Sequence, residues 1–146
     1  MTPHVLRARD AQAMARVHAL CFDKPWPTLD MTVHVGRDLC LGIGDPLSSF
    51  AILRSSDIDA EILTVATDPA ARGQGLAGDV LRAAINQYRR AGLRHIFLEV
   101  AEDNDSARTL YKRLGFTPIG RRPAYYTRPE GRIAAITFSL DLIAKR

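Results

Sequence analysis

The chain has 146 residues, 47% hydrophobic and 25% charged, with a formal net charge of +4. That length and balance fit one globular domain over 1–146 with a real core, and no run approaches the ~18 apolar residues of a membrane span. The mild basicity suits a polyanionic ligand or an acidic partner without pointing to nucleic acid.

In chain order, His4 to Arg7 reads as a short first strand. Asp10 can cap a helix running to about Leu20, with Ala13, Met14, Val17 and Cys21 facing inward. Phe22 to Pro27 is a proline-bounded loop carrying the single tryptophan, Trp26, and a short helix is expected over Leu29 to Arg37. Leu39 to Ile43 and Ser49 to Arg54 are strands joined by the Gly44-Asp45-Pro46 turn, and a further strand ends at Thr67. Asp68-Pro69 is a turn, after which Arg72-Gly73-Gln74-Gly75-Leu76-Ala77-Gly78 leads into a helix. Leu76, Val80, Leu81, Ala84, Ile85 and Tyr88 recur there at helical spacing, and Gly92 closes it. Arg94 to Ala101 is a strand, Asn104 can cap a helix over Ala107 to Leu114, and Gly115 ends it. Phe116 to Gly120 and Ile133 to Leu142 are the last strands, separated by a loop over Arg121 to Arg132.

The unit from 61 to 101 needs a crossover between parallel strands, while short turns make its neighbours antiparallel. The sum is a mixed α/β sheet. Cys21 and Cys40 form no CxxC, and His4, His18, His34 and His95 lack ligand spacing, so no metal site is expected. Arg7, Arg9 and Asp10 stand where a signal peptide needs apolar residues, and a cytoplasmic location follows by default.

The stretch from 61 to 82 carries the chemistry. Its glycines leave backbone N–H groups uncovered at a helix N-terminus, where amide donors and the helix dipole favour an anionic phosphate. Gly73, Gly75 and Gly78 also spell GxGxxG, with Glu99 some twenty residues on, the outline of a dinucleotide fingerprint. That reading fails: Asp68 to Arg72 separate the strand from the first glycine, and too little chain follows for two βαβαβ halves.

The same residues resemble the signature of the GNAT family of N-acetyltransferases, Arg72-x-x-Gly75-x-Ala77 after a strand and Asp-Pro. Asn104-x-x-Ala107-x-x-x-Tyr111 followed by Leu114-Gly115-Phe116 is similar to the family's second signature. Leu98-Glu99-Val100, Arg121-Arg122-x-x-Tyr125-Tyr126, and Cys21-Phe22 with Pro25-Trp26 resemble the branch that acetylates the N-terminal alanine of a small-subunit ribosomal protein. Ala77 takes the place of a commoner glycine, and Gly73 and Gln74 stand where that branch often has a basic residue. The resemblance implies a GNAT-like α/β fold: a mixed, largely antiparallel sheet with a central parallel strand pair, flanked by helices.

It also implies direct attack of an amine on the thioester of acetyl-CoA. Val65, Ala66 and Thr67 then offer main-chain groups to the pantetheine arm, Arg72, Gly73, Gln74, Gly75, Leu76, Ala77 and Gly78 hold the diphosphate, and Asn104 contacts the cofactor. Asn104 reads equally as a helix cap. Arg108, Lys112 and Arg113 can reach phosphates or simply form a solvated helix face. Glu99 is the candidate base, mid-strand and partly withdrawn from water, although exposed or paired glutamates are common on sheet faces. Tyr111, twelve residues on, is the candidate acid toward the leaving thiolate, or a core tyrosine on the Ala107, Leu110 and Leu114 face. Trp26, Tyr125 and Tyr126 can shape an acceptor groove, or be ordinary half-buried rings.

The expected acceptor is a protein N-terminal α-amine, a ribosomal protein's among them, with no membrane or nucleic-acid partner. Deprotonating such an amine at pH 7 costs about 1 kcal/mol, against about 4–5 for lysine. The rival acceptor is a small amine such as a polyamine or aminoglycoside, which calls for an acidic pocket; Asp57, Asp59 and Glu130 are the loop acids available. A non-catalytic acyl-CoA or RNA module would not need Glu99 and Tyr111 at this spacing.

Overall fold

Residues 1–143 are described in a computed structural model. The strands are β1 (His4–Val5), β2 (Leu39–Ile43), β3 (Ser49–Ser55), β4 (Asp59–Thr67), β5 (His95–Ala101), β6 (Thr117–Arg128) and β7 (Gly131–Asp141). They form one seven-stranded sheet in the order β1-β2-β3-β4-β5-β7-β6. Only β4 and β5 pair in parallel; every other neighbour is antiparallel. The helices are α1 (Ala11–Cys21), α2 (Thr28–Arg37), α3 (Leu76–Arg90) and α4 (Asp105–Arg113).

Side chains alternate along each strand, so the sheet makes two cores. On one face Ile96, Leu98 and Val100 of β5 and Phe138 of β7 pack with Val80, Leu81 and Ala84 of α3 and Tyr111 of α4. On the other, Met14 and Val17 of α1 and Met31 of α2 cover Cys40, Phe50 and Ile52. That second core contains no described residue of β5, β6 or β7. On its side the C-terminal half of the sheet therefore stays open, and Glu99 faces into the opening.

Two features make the opening a cleft. The parallel pairing of β4 with β5 runs only from Asp59↔His95 to Glu61↔Phe97. Among the described residues, β4 beyond it pairs with β3 alone and β5 with β7 alone, so the two strands part and β4 from Ile62 to Thr67 has an edge without a strand partner. The β3–β4 register also slips between Ile52↔Thr64 and Leu53↔Ile62, which leaves Leu63 as a bulge and re-aims Thr64.

Several expectations need correction. Arg121 to Arg132 is not a loop: β6 continues to Arg128 and β7 starts at Gly131, making a long hairpin. Its residues are polar and mostly exposed on both faces, as an edge strand tolerates, so the apolar alternation that marks a strand is missing. The first strand is only His4–Val5. In α1 the buried residues are Ala11, Met14, Val17 and His18, whereas Ala13 and Cys21 are half-buried.

Candidate active site

At the carboxyl end of β4, Asp68 accepts a hydrogen bond from the Ala70 N–H (3.0 Å) and turns the chain toward α3. Gly73 and Gly75 then take φ of +80° and +75°, the left-handed region that a side chain disfavours. A Cβ at either would meet nothing within 4 Å, so glycine is required here by backbone conformation and not by crowding. Among the described residues, the amides of Gly73 through Gly78 make no intramolecular hydrogen bond; the first helical bond is Asp79 N–H to the Gly75 carbonyl. Exposed amides and the α3 dipole together make an anion cradle. Arg72 lies beside it, its guanidinium 3.7 Å from Cys21 Sγ.

Glu99 sits opposite, on β5. Its Oε2 pairs with the Arg122 guanidinium at 3.0 Å and accepts from the Thr137 hydroxyl at 3.3 Å. Oε1 has no partner among the described residues. The Arg122 guanidinium also lies 4.6 Å over the Tyr125 ring, which meets Tyr126 edge-on at 5.1 Å. A register break in β6 between Arg122 and Tyr126, with Ala124 at φ +53°, lifts this segment out of the ladder.

Tyr111 is 7% exposed and packs edge-on against Phe116 at 5.7 Å. Burial first, and the proximity of Tyr126 second, push its phenol up to about 12. Tyr126 is raised by burial and then by the Glu99 charge. Tyr111, Tyr126 and Glu99 are thus close enough for charge on one to be felt by the next.

The remaining expected residues are more committed to structure. Asn104 caps α4, its Oδ1 accepting from the Ala107 N–H at 3.2 Å. Its side-chain N–H groups remain free of protein partners among the described residues. Arg108 donates to the Glu102 carbonyl at 2.8 Å and braces the β5–α4 turn, while Lys112 and Arg113 are exposed. Trp26 is clamped between the rings of His18 (4.9 Å) and His34 (5.0 Å), so it offers a groove only its edge.

Reasoning from sequence missed Arg122 as the partner of Glu99. It also missed the forks Arg121–Glu102 and Arg128–Asp103, each near 3 Å, which tie the β6–β7 hairpin to the turn after β5. The acids of the rival pocket do not converge. Asp59 starts β4, about 26 Å along the strand from Thr67, and pairs with His95 at 3.1 Å. Glu130 lies in the hairpin tip. A separate cleft of about 550 Å³ between the N-terminus and the β2–β3 turn is lined by Arg9, Asp10, Arg16 and Asp45. Arg16 there is already bonded to the Leu47 carbonyl and Asp68, so it competes poorly for an anion. No cluster able to hold a metal and no helix long and apolar enough to cross a membrane occur among the described residues.

A parted parallel strand pair, with bare amides at its mouth and a carboxylate facing the opening, suits an acyltransferase that takes a diphosphate-bearing donor. The profile of the acetyltransferase (GNAT) family matches residues 11–116, and the chain belongs to that family. It is similar to the [ribosomal protein bS18]-alanine N-acetyltransferase of Haemophilus ducreyi, 38% identical over 99 residues covering 67% of this chain and 68% of that one. It is also similar to the N-alpha-acetyltransferase RimI of Mycobacterium tuberculosis, 32% identical over 86% of this chain and 84% of that protein. The crystal structure of the Escherichia coli ribosomal-protein-S18-alanine N-acetyltransferase superposes with a TM-score of 0.89 at 28% identity, covering 99% of this chain and 96% of that one.

Proposed function

We propose that this protein transfers the acetyl group of acetyl-CoA to the α-amine of a protein N-terminus, with an alanine-led ribosomal protein as the foremost acceptor. Such an acceptor puts the reaction in the cytoplasm. The observation that carries the reading is the opening between β4 and β5, with the Gly73–Gly78 turn at its mouth and Glu99, Tyr126 and Tyr111 around it. The diphosphate rests on the amides of that turn beside Arg72, and the pantetheine arm follows the unpaired edge of β4 at Val65, Ala66 and Thr67. Asn104 keeps its side-chain N–H groups for the same ligand.

In the transfer, the amine nitrogen bonds to the thioester carbonyl carbon and the C–S bond breaks. Glu99 Oε1 accepts the proton that nitrogen sheds, directly or through water, while Arg122 and Thr137 hold Oε2. Tyr111 acts mainly as a hydrogen-bond donor to the departing sulfur. With its phenol near 12 and a thiol near 8.5, complete proton transfer is uphill by about 5 kcal/mol. The sulfur therefore leaves as a thiolate held by the Tyr111 hydroxyl; it takes a proton from water, and Glu99 returns the nitrogen's proton to water, so the step balances. Tyr125, Tyr126 and the edge of Trp26 line the acceptor side.

An α-amine suits this site because one carboxylate has only about 1 kcal/mol of deprotonation to supply at pH 7. Asp57 and Asp59 lie at or just before the start of β4, the far end of the strand from Thr67, and Glu130 lies in the hairpin tip, so they give a polyamine in the opening no common counter-charge. The experiment is a thiol-release assay with acetyl-CoA against an Ala-led peptide, an N-blocked Lys peptide and spermidine. The Ala-led peptide is expected to lead by about tenfold or more in kcat/KM, as the ~3 kcal/mol difference in deprotonation allows. Equal or better turnover of spermidine would overturn the reading.

A further inference from the structure

The transfer chemistry leaves one buried titratable group of the cleft unused. His18, 2% exposed on α1, lies under the segment that joins α1 to α2. We propose that His18 is a positioning residue: it fixes the Phe22–Pro27 segment, the acceptor side of the cleft, to β4, the strand along which the donor lies. The inference deepens the peptide-acetylation reading and rests on it.

Both ring nitrogens are engaged. Nδ1 accepts from the Trp26 backbone N–H at 3.1 Å, which leaves the proton on Nε2 to be donated to Thr64 Oγ1 at 3.2 Å. Both ring faces are engaged as well, by Phe22 at 4.3 Å and Trp26 at 4.9 Å. The stack continues from Trp26 to His34, whose Nδ1 contacts Asp38 at 2.7 Å, and Asp38 is gripped by Arg54. A rigid ladder thus runs from β3 through the Trp26 segment to β4. The Leu63 bulge is what turns the Thr64 hydroxyl toward α1.

One turn further along α1, Cys21 Sγ donates to the Thr67 carbonyl at 3.2 Å. The last turn of α1 is therefore fastened to β4 at two points, beside Val65 and at the strand's end. The outer side of Phe22 and most of Leu29, 74% exposed, stay open to water at the rim an acceptor would meet. A peptide docking there reads a surface whose distance from the thioester is set through His18.

The test compares Thr64→Val, Thr64→Ser, His18→Asn (which keeps an acceptor for Trp26) and His18→Gln (which keeps a donor for Thr64). Thr64→Val and both His18 variants are expected to raise KM for the Ala-led peptide about five- to tenfold, the worth of one buried hydrogen bond. KM for acetyl-CoA stays within about twofold, and Thr64→Ser behaves as the parent protein. Emission of the single tryptophan, Trp26, shifts to longer wavelength in the same three variants and not in Thr64→Ser. Unchanged peptide KM and unchanged emission in all three would overturn the inference. So would equal rises in both KM values, the mark of general loosening. If the parent protein releases no thiol with any peptide, the acetylation reading fails, and the Trp26 emission alone decides for or against His18.

Discussion

The proposed donor and acceptor sides of the cleft are built by different means. The donor side is main chain: glycines at positive φ, bare amides and a strand edge, all fixed by backbone geometry. The acceptor side is side chain: Arg122 on Glu99, Arg121 on Glu102 and Arg128 on Asp103, all anchoring an edge hairpin exposed to water. A backbone cradle tolerates change in nearly every side chain around it, whereas charge pairs can be rewired by single substitutions. A scaffold built in this way can hold a coenzyme fixed while its acceptor varies.

The comparison breaks most visibly at Glu99. Glu99→Gln removes the proposed base and is expected to lower kcat about 10²–10³-fold with KM for acetyl-CoA unchanged. Stopped assays at saturating acetyl-CoA check it, and a fall under about threefold would exclude Glu99 as the base. Next comes His18, held down from 6.5 to about 4 by burial first and the His34 charge second. Between those values the unfolded chain binds a proton that the folded one refuses. Stability is then level above pH 6.5 and falls as pH drops toward 4, by roughly 3 kcal/mol in total from this group. Urea midpoints from pH 7.5 to 4 measure the slope, which should be shallower in His18→Gln.

A smaller effect sharpens the donor side. Gly75→Ala puts a Cβ on a residue at φ +75° and costs about 1 kcal/mol of backbone strain in the turn proposed to hold the diphosphate. KM for acetyl-CoA is expected to rise about fivefold, with kcat and peptide KM little changed. The smallest effect falls on the acceptor side, at the exposed Arg128–Asp103 fork. Arg128→Ala should change peptide KM by less than about twofold, and about 0.5 M salt should erase the difference.

The donor side was legible in the sequence because its signals are local. A β-branched run, Asp-Pro, glycines and a 3.6-residue period lie within thirty residues, and each is dictated by backbone sterics. The acceptor side was not, because its partners are distant in the chain. Arg122 and Glu99 meet only through β7, which pairs with both their strands, and nothing in the spacing announces it. The hairpin was missed because an edge strand wetted on both faces shows no alternation. His18 did carry a signal, four residues after Met14 and seven after Ala11 on the buried stripe of α1. A polar ring in an apolar stripe is the mark of a buried group with hydrogen-bond partners.

The most direct test of the central claim follows backbone amide resonances of ¹⁵N-labelled protein as acetyl-CoA is added. If the turn after β4 cradles the diphosphate, the N–H protons of Gly73, Gln74, Gly75 and Leu76 shift downfield in concert and saturate together with Val65 and Thr67. Silence there, with the shifts gathered instead around Arg9, Arg16 and Asp45, would contradict it.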